Sequence, residues 1–68
     1  MTRPALIGDI GGTNARFALV TPGSFAPLQV LSLPCADYPG PVEAARDYLA
    51  RAGLTGDDAP REACLAFA

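Results

Sequence analysis

Apolar positions along the chain gather in short runs separated by glycine, proline and polar breaks. Ala5 to Ile10 is one run, ending at Gly11-Gly12, and Asn14 to Val20 is a second; both read as strands. The glycine pair between them predicts a two-residue hairpin turn, since glycine accepts the positive φ that such turns use. TPGS, Thr21 to Ser24, predicts a second turn. Leu28 to Leu33 predicts a third strand, with Leu28, Val30 and Ser32 on one face and Gln29, Leu31 and Leu33 on the other. The first half therefore reads as a three-stranded meander.

The period changes after PCADYPGP, where prolines stand at positions 34, 39 and 41. Val42, Ala45, Leu49 and Ala52 recur at helical spacing and predict one apolar face, with Tyr48 at its margin. Pro41 suits the first helical position and Gly40 the N-cap. Gly53 suits the left-handed residue that ends the helix, with Leu54 turning back toward Leu49. Asp47 and Arg51 stand four apart on the outer side, a favourable helical pair. TGDDAPR is a polar connector, and Ala63 to Ala68 reads as a final strand. A helix joining two strands predicts a parallel crossover, which sets the last strand beside the first or the third. Both faces of its neighbours would then be covered, in keeping with strands that are apolar throughout. The order is β-β-β-α-β, an α/β arrangement.

The 68 residues allow one small domain, and nothing in them repeats. A globular chain of this size buries only about 60% of its unfolded surface, so its stability is marginal. There is no histidine, and the two cysteines, Cys35 and Cys64, form no Cys-x-x-Cys pair. No secreted disulfide framework is indicated. Free thiols are expected, with Cys64, inside an apolar run, as a core residue. The formal charge is −2, all five cations are arginines, and they form no basic stripe, which argues against nucleic acid as a partner. No run approaches the ~20 apolar residues of a membrane span. Asp9 interrupts the opening run too early for a signal peptide, so the cytoplasm is the expected location. The chain starts at Met1 and stops inside the strand-like REACLAFA, from which residues 1–68 are expected to be the N-terminal part of a longer protein.

Across a two-residue turn, Ile10 would face Thr13, Asp9 would face Asn14, and Gly8 would face Ala15. Leu6, Gly8, Ile10, Ala15, Phe17 and Leu19 then share the core side, and Ile7, Asp9, Asn14, Arg16 and Ala18 share the other. Two readings of that second face stay open at this point. In one, Asp9 caps backbone amides of a plain hairpin and Arg16 neutralises it. In the other, Gly-Gly-Thr-Asn offers bare N–H groups, a hydroxyl and an amide as a nest for phosphate. A carboxylate beside phosphate needs an intervening cation, and Asp9 suits Mg²⁺, directly or through water. There is no G-x-x-x-x-G-K-[ST], and no G-x-G-x-x-G opening a helix, so neither a P-loop nor a dinucleotide fingerprint is present.

The segment LIGDIGGTNARFAL resembles the phosphate-binding opening of the bacterial glucokinase family, within the actin-like ATPase and sugar kinase superfamily. DYP before the helix and the late strand CLAFA are similar to that family as well. The resemblance implies a ribonuclease H-like (actin-like ATPase) half-domain, incomplete here, with residues 1–68 forming the truncated N-terminal part of the nucleotide-binding domain. It implies ATP and Mg²⁺ as cofactors and glucose as the partner substrate, converted to glucose 6-phosphate, and leaves a homodimer open for the intact protein. Gly8, Asp9, Ile10, Gly11, Gly12, Thr13 and Asn14 match the nucleotide-binding stretch. Asp9 matches the residue that serves magnesium, and Gly11 to Asn14 match the turn that faces the ATP phosphates. Arg16 matches a residue that either supports the hairpin or meets the ligand. The catalytic base and the sugar-binding residues match nothing in this chain. Asp37, Asp57 and Asp58 lie in loops and are expected to be solvated. Alone, the chain is expected to be inactive and poorly folded. The rival readings are another kinase or ATPase of the superfamily and a non-catalytic module. Repressor relatives carry a helix-turn-helix ahead of the motif, and only eight residues precede Asp9.

Overall fold

In the computed structural model, residues 3–23 and 26–67 are described. Each apolar run becomes the element its pattern predicts: β1 (Ala5–Ile10), β2 (Asn14–Val20), β3 (Leu28–Pro34), α1 (Pro41–Ala52) and β4 (Ala63–Phe67). Single 3-10 turns at Cys35–Asp37 and Gly56–Asp58 flank the helix. Ser24 of the expected second turn and Ala68 of the expected last strand lie outside the described residues, as does Met1. The sheet order is β3-β2-β1-β4, with β1, β2 and β3 as an antiparallel meander and β4 parallel to β1. Of the two neighbours open to the last strand, β1 is the one it joins.

The helix is bounded as its sequence dictates. Gly40 is extended at the N-cap and Pro41 takes the first position, where a missing N–H costs nothing. At the other end Gly53 adopts φ 76°. Its N–H donates to the Ala50 carbonyl at 3.2 Å, and that of Leu54 donates to Leu49 at 2.9 Å, so the last carbonyls are satisfied by the paired bonds of a Schellman ending.

The buried face of α1 is rotated from the one its spacing predicts. Tyr48 is 2% exposed and Ala44 is buried, whereas Val42 is 53% exposed. The tyrosine belongs at the centre because both of its ends are satisfied there. Its ring packs on Phe17 with centroids 5.5 Å apart, and its hydroxyl donates to the Gln29 carbonyl at 2.8 Å. Leu6, Ala15, Phe17, Leu19, Leu33, Ala44 and Tyr48 form the core between α1 and the sheet.

The expectation that both sheet faces are covered is not met. The helix packs on β2 and β3 from one side, and on the opposite side Asp9, Asn14 and Arg16 are exposed. Cys64 is a further correction, being exposed rather than in the core. The alternation of β4 explains it: Leu65 pairs with Gly8 and leans on the core, which sends Cys64, opposite Ile7, to the open face. Both cysteines are free thiols, as expected.

The alternation expected of β3 is broken by a bulge. Leu31 pairs with Phe17 and Leu28 with Leu19, so Gln29 and Val30 together oppose a single residue, Ala18. Gln29 takes a left-handed φ of 52° to make the extra step. Leu28 consequently shares the face of Leu31 and Leu33 rather than that of Val30.

Candidate functional site

The turn between β1 and β2 differs from the expected one in a way that keeps its faces. Ile10 pairs with Ala15, Asp9 with Arg16 and Gly8 with Phe17, a register two residues away from the expected pairing. The Gly11 N–H donates to the Asn14 carbonyl at 2.9 Å and closes the loop. Because side chains alternate with period two, an even shift leaves every residue on its expected side. Only the partners change, and Asp9 stands opposite Arg16 instead of Asn14.

The expected reason for the glycine pair is also corrected. Positive φ occurs at Gly23, Gly53 and Gly56, and neither Gly11 nor Gly12 adopts it. The three glycines of the motif have separate physical roles. A Cβ on Gly8 would lie 2.7 Å from Leu65 Cδ2 and 3.0 Å from the Phe17 ring, so close packing within the sheet demands glycine there. A Cβ on Gly11 would meet the Asn14 carbonyl at 3.4 Å, an ordinary contact. One on Gly12 would meet nothing within 4 Å. Neither backbone conformation nor internal packing requires glycine at position 12. What its missing side chain does is leave the backbone of the turn open.

Polar groups at this open end are unengaged. Among the described residues, no hydrogen bond involves the N–H of Gly12 or Thr13, or the side chains of Asp9, Thr13, Asn14 or Arg16. Asp9 and Arg16 are direct cross-strand partners, a relation that brings Cβ atoms to about 4.5–5.5 Å. Yet the ion pair found among the described residues joins Arg51 to Asp47 on α1, and the Asp9–Arg16 bridge of the plain-hairpin reading is not made. On its other side Asp9 aligns with Ala66 of β4, which offers no polar partner. No group of three or more His, Cys, Asp or Glu side chains among the described residues could hold a metal by itself. Asp9 would therefore hold a cation only together with oxygens from a ligand and from water. This is how Mg²⁺ usually binds beside phosphates. Since β1 and β4 are parallel, their C-terminal ends arrive side by side at the turn, the end of an open α/β sheet where ligands bind.

The segment after β3, read from sequence as a plain loop, supports the turn. The Cys35 N–H donates to the Thr13 carbonyl at 2.8 Å, and the Cys35 thiol donates to the Gly11 carbonyl with 3.4 Å between sulfur and oxygen. The β2/β3 register, with Asn14 beside Pro34, brings the next residue of each strand together. Knowledge of that register was the missing signal. Farther along, the Tyr38 hydroxyl and Arg51 Nε both donate to Asp47 Oδ2, tying the loop to α1. The Tyr38 bond, followed by Arg51, holds the Asp47 carboxyl below its ordinary range. The same bond to Asp47 raises the Tyr38 phenol. Asp37, Asp57 and Asp58 are exposed in their 3-10 turns, as expected. A shallow cavity of about 240 Å³ opens between β3 and α1, lined by Gln29, Val30, Leu31, Tyr48, Arg51 and Ala52, with no residue of the glycine turn. No helix among the described residues is long and apolar enough to cross a membrane.

A family model described as glucokinase matches residues 6–68. The glucokinase of Chromohalobacter salexigens is 63% identical over 68 residues, all of this chain and 20% of that protein. The glucokinase of Hahella chejuensis is 55% identical over 64 residues, 94% of this chain and 19% of that protein. Among solved structures, the glucokinase of an Antarctic psychrotroph superposes with a TM-score of 0.80 at 38% identity, covering 96% of this chain and 21% of that one. The chain spans about a fifth of the length of these relatives.

Proposed function

The chain belongs to the glucokinase family, and from that premise we propose that the intact protein transfers the γ-phosphoryl group of ATP to glucose, with the Gly11–Asn14 turn and Asp9 as one side of the phosphate site. The observation that carries the reading is Gly12. Its open backbone has no internal cause, and it lies between unengaged amides and an unengaged carboxylate.

Phosphoryl transfer asks a protein mainly for position and charge neutralisation. In this chain the N–H groups of Gly12 and Thr13 would donate to phosphate oxygens, and the Thr13 hydroxyl and Asn14 amide would add flanking donors. Gly11 leaves room at the entrance of the turn. Ile10 anchors the end of β1 on the core, and Gly8 lets β1 lie tightly against Leu65 and Phe17, so both also hold the turn in place. The Asp9 carboxylate would hold Mg²⁺, directly or through water, and Mg²⁺ when bound supplies charge neutralisation on the phosphates. The residues that bind glucose and remove the proton from its hydroxyl would come from outside this chain. Family membership supports glucose as acceptor and a cytoplasmic location as parts of the same reading, and leaves a homodimer of the intact protein open.

Steady-state kinetics of the intact protein test it. Asp9→Asn should lower kcat/KM for Mg·ATP by about a hundredfold, the scale of losing one group that stabilises transition-state charge, and leave the KM for glucose near the parent value. A variant with parental dependence on both Mg²⁺ and ATP would overturn the assignment.

A further inference from the structure

We propose that Cys35 is a positioning residue for the phosphate turn, aiming the Gly12 N–H by holding the carbonyl on the other side of the same peptide bond. The inference rests on the phosphate reading of that turn. A trans peptide is planar, and its C=O and N–H point in opposite directions. The carbonyl of Gly11 and the N–H of Gly12 belong to one such plane. The Cys35 thiol donates to that carbonyl at 3.4 Å and so fixes the direction in which the Gly12 N–H leaves the turn, away from Cys35. The Cys35 backbone N–H takes the Thr13 carbonyl at 2.8 Å and fixes the next-but-one peptide plane in the same manner. The Asn14 carbonyl is held by Gly11. Three of the four carbonyls in the Gly11–Asn14 turn are thus engaged from inside the protein.

This arrangement answers a difficulty that Gly12 itself creates. A residue with no side chain and nothing within 4 Å of its Cβ position has no packing to hold its peptide in place. Left alone, the bare turn would sample orientations that turn the N–H away from an anion, and ligand binding would have to oppose that freedom. The thiol supplies the restraint from behind, at a half-buried position in the Cys35–Asp37 turn, without occupying the face that the phosphate would use.

The test uses the intact protein with Cys35→Ala, which removes the donor, and Cys35→Ser, which keeps one. A thiol is a weak donor, so the low end of a hydrogen bond's net worth applies, and Cys35→Ala should raise the KM for Mg·ATP by about threefold. The KM for glucose should stay at its parent value. Cys35→Ser should return the KM for Mg·ATP to within about twofold of the parent, because a donor to the Gly11 carbonyl is restored. A general loss of packing would instead move both KM values together and would not be reversed by serine. Parental KM for Mg·ATP in Cys35→Ala, or equal changes for both substrates, would overturn the proposal. Gly12→Ala run alongside separates the two levels. If it raises the KM for Mg·ATP while Cys35→Ala does not, the phosphate reading stands and the role of Cys35 falls. If it leaves that KM unchanged, the phosphate reading falls and the role of Cys35 falls with it.

Discussion

Identical substitutions at two glycines of the motif should have opposite consequences. Gly8→Ala places a methyl 2.7 Å from Leu65 Cδ2 and within 3.1 Å of two Phe17 ring carbons. Leu65 is half-buried and can turn, but Phe17 is fully buried at the centre of the core and cannot withdraw. Overpacking of this kind costs about 1–3 kcal/mol. Gly12→Ala puts the same methyl into open space at a residue whose φ is not left-handed. There the loss of unfolded-state freedom stabilises by about 0.4–1 kcal/mol. Thermal unfolding of the intact protein should therefore show Gly8→Ala melting lower, by about 2–4 °C for each kcal/mol in a domain of 150–250 residues. Gly12→Ala should melt at or above the parent temperature. Kinetics should show the reverse order, with Gly12→Ala raising the KM for Mg·ATP by about tenfold, the equivalent of 1.4 kcal/mol of binding. Equal destabilisation by the two substitutions would refute the division between a packing glycine and an open one. A Gly12→Ala protein that melts normally and binds Mg·ATP normally would remove the functional reason for the open backbone.

Two further outcomes follow from other parts of the structure. Gln29→Gly should raise stability by about 0.5–1 kcal/mol, since glycine avoids the cost of φ 52° and returns part of the gain as backbone entropy; an unchanged or lowered unfolding midpoint would contradict a strained bulge. Asp47, whose carboxyl is lowered in the fold, contributes stability that is present above its unfolded value of about 4 and is lost as pH falls through the folded value. Tyr38, raised by the same bond, contributes below about 10, and that contribution is lost as pH rises through its raised value. Melting profiles of Asp47→Asn against pH should be flatter than the parent at both ends.

The extent to which the chain could be read in advance follows from which interactions are local. Strand runs, the Pro41 start and the Gly53 stop depend on neighbours in sequence, and they form where the pattern puts them. The grouping of Asp9, Asn14 and Arg16 on one side was legible because alternation survives an even change of register. Helical spacing does not reveal the burial of Tyr48, which depends on a carbonyl nineteen residues away in β3, at the bulge. The exposure of Cys64 is not legible either, because an apolar run does not say how much protein lies on each side of it, and here the helix covers only one. Within the candidate site, the residues of the turn were named from the motif. Cys35 was not, because its bonds to Gly11 and Thr13 exist only once β2 and β3 are in register.

The bulge at Gln29 has a bearing on how this sheet meets other molecules. β3 is an outermost strand, and its Leu28 and Val30 side chains are 48% and 56% exposed. A straight strand with that composition would be a template for pairing with a foreign strand. The extra residue breaks the regular spacing of donors and acceptors along the edge, and the Gln29 carbonyl is already taken by Tyr48. An incoming strand would find the ladder interrupted midway. The contact that buries the tyrosine in the core thereby also withdraws one backbone acceptor from the outer strand of the sheet.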